Sequence, residues 1–353
     1  MNAAEANTKH LHQTDISARI QVLRVVLILG IVVLHTPPYV PIEEVPREAF
    51  AVVKAFFQDA LFRLSVPALS AISGYLLFRY QQDRDFPQLA RKKSKSLLLP
   101  FLFWNVPLAS AIFFLQSHGV MLNVSPNLVE ADFGGWMDAL FAVNGEPVNY
   151  PLAFVRDILV ACMIASILSS LFRRMPVFLA ITVFLVSYTD LDGSIFLRAD
   201  IATLFFVGGL LSVLDADVTL LDRWAIHLGL LLLLLCCIFV LVADSSLLFW
   251  LRVIGVVCLW PVSGVLCRFI PTSLIERLGN VSFWIFCSHA PILALLWTVW
   301  QRHMPDVAYP VFWVLAPIAT VLLSVAAYGI LRRILPGLAS MLTGSRPAVR
   351  VRV

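Results

Sequence analysis

The chain has 353 residues, 60% of them hydrophobic and only 14% charged, with a mean hydropathy of +0.87. A soluble protein of this length needs roughly a quarter of its residues charged to cover its surface, so a soluble fold is excluded, as are a disordered chain, a collagen and a disulfide scaffold. The formal net charge of +4 finds its use in membrane orientation, and no nucleic-acid partner is expected.

A bilayer core of about 30 Å requires roughly 20 apolar residues per helix. The first nineteen residues are polar and the first apolar run covers 20–37. It ends in His35-Thr36-Pro37-Pro38, which is no small-residue cleavage site, so an uncleaved first helix is expected rather than a signal peptide. Further apolar runs follow at 52–78, 97–117, 151–172, 176–189, 197–214, 224–243, 247–269, 279–300 and 308–331. The fifth and sixth are short. The expectation is an all-α integral membrane protein with about ten transmembrane helices in one bundle. It spans 20–335, between an N-terminal tail (1–19) and a basic C-terminal tail (336–353).

Orientation follows from where Lys and Arg collect, because basic residues near helix ends stay on the cytoplasmic side. Arg79, Arg84, Arg91, Lys92, Lys93 and Lys95 fall between the second and third runs, and Arg173 and Arg174 between the fourth and fifth. Arg332, Arg333, Arg346, Arg350 and Arg352 follow the tenth. The stretch from His118 to Tyr150 carries four acidic residues, Glu130, Asp132, Asp138 and Glu146, and neither Lys nor Arg, as an external loop would. Ten helices with both termini cytoplasmic satisfy this pattern. The segment Asp215–Arg223, with three aspartates and one arginine, fits a cytoplasmic loop less well. All six cysteines (Cys162, Cys236, Cys237, Cys258, Cys267 and Cys287) lie in apolar runs without zinc-ligand spacing and read as small buried hydrophobes. No metal site is expected.

Ionisable groups within the lipid span are costly and therefore candidates for function, to be weighed against snorkelling or structural pairing. Arg24 and His35 stand eleven residues apart on the first helix, about 16 Å of rise and close to three whole turns, so they share nearly one face. That geometry can bridge two compartments. Equally, Arg24 can snorkel to lipid phosphates while His35 caps a helix end. Arg63, Pro67, Ser70 and Gly74 form one stripe on the second helix, and Arg63 needs a carboxylate or a wet cavity, with Asp157 beside Arg156 the candidate partner. His289 lies mid-helix in the ninth run, either functional or bonded neutrally across helices. Arg198, Asp200 and Arg252 lie close to external ends and are expected to reach water. The cluster Arg91, Lys92, Lys93 and Lys95 is either a stop signal that binds lipid or a docking surface for a soluble polyanion. No P-loop, GxGxxG, HExxH or GxSxG is present, so nucleotide hydrolysis, dinucleotide redox chemistry, zinc proteolysis and the hydrolase elbow lack support.

Five motifs in order resemble the integral membrane acyltransferase 3 family over most of the chain. Arg24 with ten intervening residues before His35 matches its basic-x10-His signature. Phe62-Arg63-Leu64-Ser65-Val66-Pro67 with Ser73-Gly74-Tyr75 resembles its second-helix pattern. Lys92 to Lys95 with Leu99-Pro100-Phe101 and Trp104, then Tyr150-Pro151-Leu152-Ala153-Phe154-Val155-Arg156-Asp157, and finally Gly279-Asn280-Val281-Ser282-Phe283-Trp284-Ile285-Phe286 leading to His289 and Pro291, resemble the rest. Where relatives often carry two arginines three apart, this chain has Lys92 and Lys95, compact charges without a planar fork.

The resemblance implies a bacterial inner-membrane enzyme that moves an acyl group, most often acetyl, from cytoplasmic acetyl-CoA to a hydroxyl of an extracytoplasmic saccharide. Acetyl-CoA is then a donor substrate, with no cofactor held permanently, and membrane lipids, the saccharide acceptor and polysaccharide assembly machinery are the other implied partners. It implies that Arg24, with Arg91, Lys92, Lys93 and Lys95, holds the phosphates of CoA. It also implies that His35 is the base or acyl acceptor and that Arg63 or His289 steadies the oxyanion. Two rival readings stand beside it: a transporter or flippase for a lipid-linked saccharide or lipid, and a non-catalytic partner of a polysaccharide synthase.

Overall fold

The computed structural model describes residues 3–120, 126–304 and 308–343, with side chains from residue 15 onward. Regular structure among the described residues is helical, without a strand. Only helices and closed barrels pair every backbone polar group in lipid, and a helix does so within its own segment. The principal helices are α1 (Ala3–Leu34), α2 (Ala49–Arg79), α3 (Phe86–Ser117), α4 (Tyr150–Ile167), α5 (Pro176–Tyr188), α6 (Ala199–Val213), α7 (Asp222–Val242), α8 (Ser245–Phe269), α9 (Thr272–His303) and α10 (Tyr309–Ile334). Eight of these are long and apolar enough to cross a membrane. The exceptions are α5 and α6, with 13 and 15 residues, which rise only about 20 and 22 Å. The protein is a multi-pass membrane protein in which eight long and two short apolar helices stand where ten spans were expected.

Proline marks several helix starts, where its missing N–H costs nothing: Pro176 opens α5 and Pro310 stands in the first turn of α10. Two helices change pitch within their length. α2 widens over Phe56–Ala60 and tightens over Leu61–Leu64, which re-aims the side chains of that turn. α3 widens over Ser94–Leu98. Arg91, Lys92, Lys93 and Lys95 therefore lie within a helical stretch that starts at Phe86, not in a loop before it. A short helix, Pro336–Leu342, follows α10; Arg346, Arg350 and Arg352 lie outside the described residues.

Lipid tails are as apolar as leucine, so helices associate here through close packing rather than through escape from water. The tightest approach joins α2 and α6. A Cβ placed on Gly74 would sit 1.8 Å from the carbonyl oxygen of Phe205, and one on Gly208 would sit 2.0 Å from that of Ala71. Only glycine allows the two backbones to come so close. Phe78, Phe172, Phe205 and Phe206 fill the space beside this crossing, all fully buried.

Ion pairs sort the molecule into two ends. At the end carrying most of the basic residues, Arg79 Nη1 meets Asp215 Oδ1 at 2.6 Å, Arg173 Nη2 meets Asp83 Oδ1 at 2.7 Å, and Arg19 Nη2 meets Asp222 Oδ2 at 2.6 Å. The acidic run at 215–222 thus neutralises arginines of α1 and α2, and this explains why its sign differs from that of its neighbours. Opposite this basic end lie His35, the 38–48 loop and the start of α2. The cysteines are not uniformly buried. Cys237 is exposed on the outer face of α7 and Cys267 is half-buried, because an apolar run presents part of its surface to lipid as readily as to the core.

Candidate functional site

Two histidines 254 residues apart meet where α1 ends against the middle of α9. His289 is fully buried and His35 is half-buried. His289 Nδ1 lies 2.6 Å from the carbonyl oxygen of Phe286, and His289 Nε2 lies 2.8 Å from His35 Nδ1. A carbonyl can only accept, so His289 Nδ1 carries the proton and donates it. In the neutral ring Nε2 is then the acceptor, and His35 Nδ1–H donates to it. The relay ends with His35 Nε2 unprotonated, its lone pair free to accept a proton. The two rings stack with centroids 5.1 Å apart, and Tyr150 packs edge-on against His35 at 4.9 Å.

The chain just beyond His35 is held from three helices. Gln58 Nε2 donates to the carbonyls of Leu34 (2.8 Å) and Thr36 (2.7 Å), which are acceptors left over at the end of α1. The widened turn of α2 delivers this side chain. Trp313 Nε1 donates to Gln58 Oε1 at 3.3 Å, Tyr309 Oη donates to Pro37 O at 3.2 Å and Lys54 Nζ donates to Pro38 O at 2.9 Å. Glu43 accepts from the backbone N–H of Ser245, which holds its carboxyl below the usual range. These contacts immobilise the backbone on which the histidine ring depends.

Three arginines ring this end. Arg63 pairs with Asp59 at 3.4 Å and lies over the ring of Tyr39 at 5.1 Å. Arg198 pairs with Glu146 at 3.0 Å and Arg252 with Asp200 at 3.2 Å. Arg63 and Arg198 are within electrostatic reach of His35, and Arg252 is within reach of both arginines. Each guanidinium offers more donors than one carboxylate can use.

Two expectations are corrected here. Arg63 does not pair with Asp157. It pairs with Asp59 one turn away on its own helix, whereas Asp157 is held by Arg156 Nη1 at 2.9 Å and the N–H of Leu197 at 3.2 Å. Arg156 in turn clamps the carbonyls of Ser194 and Ile195. Asp200 does not reach water as its position near a helix end suggests. Asp200 is 4% exposed and pairs across helices with the half-buried Arg252, because α6 packs inside the bundle where its end residues are covered.

The remaining site candidates lie toward the basic end. Arg24 is half-buried on α1. Arg91, Lys92 and Lys95 are exposed, while Lys93 is half-buried and turns toward the thiol of Cys162 on α4. The structure does not bring these basic groups into contact with the histidine pair. Sequence reasoning missed Arg19, whose side chain is 9% exposed and which makes two hydrogen bonds to Asp222, of 2.9 and 2.6 Å, besides an ion pair with Asp15. The signal was Asp15 four residues before it on one helix face. It also missed Asp83, fully buried, which accepts from Ser169 and Arg173.

Comparison with known proteins bears on what this arrangement does. Residues 17–329 match the acyltransferase 3 family, described as an acyltransferase domain. The chain is 32% identical over 353 residues to the succinoglycan biosynthesis protein ExoH of Rhizobium meliloti (strain 1021), an alignment that covers 95% of this chain and 94% of that one. No solved structure matches.

Proposed function

The chain belongs to the acyltransferase 3 family, and from that premise we propose that it is a membrane O-acyltransferase that modifies an exported saccharide. The acyl group, acetyl being the commonest in the family, comes from acyl-CoA on the cytoplasmic side. The acceptor is a hydroxyl of an extracytoplasmic exopolysaccharide, O-antigen or lipid-linked precursor. The likeness to a protein of succinoglycan biosynthesis favours an exopolysaccharide. In this reading the basic end faces the cytoplasm of a bacterium, both termini lie there, and α5 and α6 complete a ten-helix bundle.

The observation that carries the mechanism is the relay from Phe286 O through His289 to His35. His35 Nε2 takes the proton of the acceptor hydroxyl as its oxygen attacks the thioester carbonyl. The carbonyl becomes a tetrahedral oxyanion, the C–S bond breaks, and the proton passes from His35 to the leaving CoA thiolate. The products are the ester and free CoA thiol, so atoms and charge balance without a further reactant. His289 fixes the tautomer and orientation of His35 and spreads the charge of the imidazolium, as a base is oriented by a third group in acyl-transfer sites. Arg63, a cation within electrostatic reach of His35, steadies the oxyanion. Arg24 and the exposed Arg91, through their planar forks, and Lys92, Lys95 and the deeper Lys93, as point charges, hold the phosphates of CoA.

The test is the NMR spectrum of the exported polymer from a deletion strain. Loss of acyl signals from a polymer still exported supports the enzyme, and the missing signal names both acyl group and position. Loss of the polymer itself overturns the reading in favour of a transporter or an assembly partner.

A further inference from the structure

In the donor reading above, a thioester held at the basic end must extend its arm through the bundle to reach His35, and one seam between α3 and α9 carries buried polar atoms with nothing to bond. Trp104 Nε1 on α3, Trp284 Nε1 on α9 and Asn149 Oδ1 just before α4 are buried and find no hydrogen-bond partner among the described residues. Buried polar side chains are normally paired, so three orphans along one seam call for a reason. They are neighbours. The rings of Trp104 and Trp284 meet edge-on with centroids 4.9 Å apart. Asn105, next to Trp104, accepts from the N–H of Asn149 at 3.1 Å, and Asn149 Nδ2 donates to Cys287 O at 2.9 Å.

The seam also runs in the right direction. Trp104 is nine residues beyond Lys95 on the same helical stretch, about 14 Å of rise, and Trp284 is five residues before His289, about 7.5 Å. Asn149 adjoins Tyr150, which touches His35. The seam therefore leads from the basic cluster to the histidine pair. Its unpaired groups are two N–H donors followed by one carbonyl acceptor. That is the complement of a thin chain with amide groups, whose carbonyls accept and whose N–H groups donate.

We propose that the α3–α9 seam is the channel for the pantetheine arm of the acyl donor, with Trp104 and Trp284 donating to its amide carbonyls and Asn149 accepting from an amide N–H. This rests on the donor reading above. Tryptophan suits the task because its indole has a donor and no acceptor, so it pairs with an amide carbonyl of the arm and not with an amide N–H.

The experiment is equilibrium binding of coenzyme A, and of pantetheine, which has the arm but no nucleotide, to the purified full chain. Phenylalanine keeps most of the ring and removes the N–H, so W104F and W284F are each expected to weaken both ligands about tenfold, one buried hydrogen bond's worth. Wild-type affinity for both ligands in both variants overturns the seam and leaves the donor reading standing. Failure of the wild-type chain to bind coenzyme A overturns the donor reading and the seam with it. Should the variants not fold, the indole 15N–H resonances of the wild-type chain decide: two that shift on adding pantetheine support the proposal, and a spectrum that pantetheine leaves unchanged refutes it.

Discussion

Removing His289 while leaving His35 in place tests whether the two rings act as a unit. In His289→Phe the 2.8 Å hydrogen bond to His35 Nδ1 is lost, and His35 no longer has an acceptor to select its tautomer. A buried donor left without a partner costs about 1–3 kcal/mol, which corresponds to a fall in kcat of about 5- to 150-fold if the cost falls on the reactive orientation. His35→Ala removes the base itself and loses a further factor, since general-base catalysis contributes about 100- to 10,000-fold. Because the second ring acts only through the first, the double variant should be no slower than His35→Ala alone. His289→Gln, which can place an amide oxygen near the former Nε2, should recover part of the loss. The assay is release of CoA thiol by purified protein with saturating donor and acceptor. Wild-type kcat in His289→Phe, or losses that multiply in the double variant, would refute the relay.

Other expectations follow from the same structure. Gly74→Val must push α2 from α6, since its Cβ would fall 1.8 Å from Phe205 O. Overpacking of this kind costs about 1–3 kcal/mol or more, read as a lowered thermal midpoint in detergent, whereas Gly279→Ala, which lies in a helix and meets nothing within 4 Å, should not lower it and should raise it slightly. Asp222→Asn leaves the Arg19 guanidinium with Asp15 alone and should destabilise by up to about 3 kcal/mol. Combining it with Arg19→Met should restore most of that loss, and a double variant as unstable as the single one would contradict the buried pair. Glu43, held below its ordinary value of 4.5 by Ser245, tethers the loop after His35. A lowered carboxyl contributes fully above the ordinary value and loses its contribution as pH falls through the lowered one. The Ser245 amide resonance should therefore titrate only below pH 4.5, and Glu43→Gln should abolish that titration.

Much of the architecture was legible because lipid permits so few solutions. Long apolar runs had to be helices, and the runs at 176–189 and 197–214 were short enough to stand apart before their lengths were known. The ends were less legible. α3 begins at Phe86, since the charged turn through Arg91 and Lys95 is helical in its own right, and hydropathy marks only the part that is apolar. Arg63 shows a different limit. A cross-helix carboxylate was sought because the residue lies in an apolar run, yet the partner was Asp59 four residues back, the ordinary helical neighbour. Position along a helix suggests that Asp200 reaches water, but burial also depends on which helices pack outside, and sequence is silent about that. His35 and His289 each stood out alone as an ionisable group within a span. Their contact, and the tautomer it dictates, depends on bringing α1 against α9 across 254 residues, which no local pattern encodes.

The most direct measurement uses the protein in sealed vesicles, with acyl-CoA confined to the side bearing the basic end and a deacylated polymer on the other. The account predicts that CoA thiol accumulates with the donor only when polymer is present opposite, that the polymer gains ester in equal amount, and that His35→Ala abolishes both. Undiminished transfer by His35→Ala, or transfer only when donor and acceptor share one compartment, would contradict it.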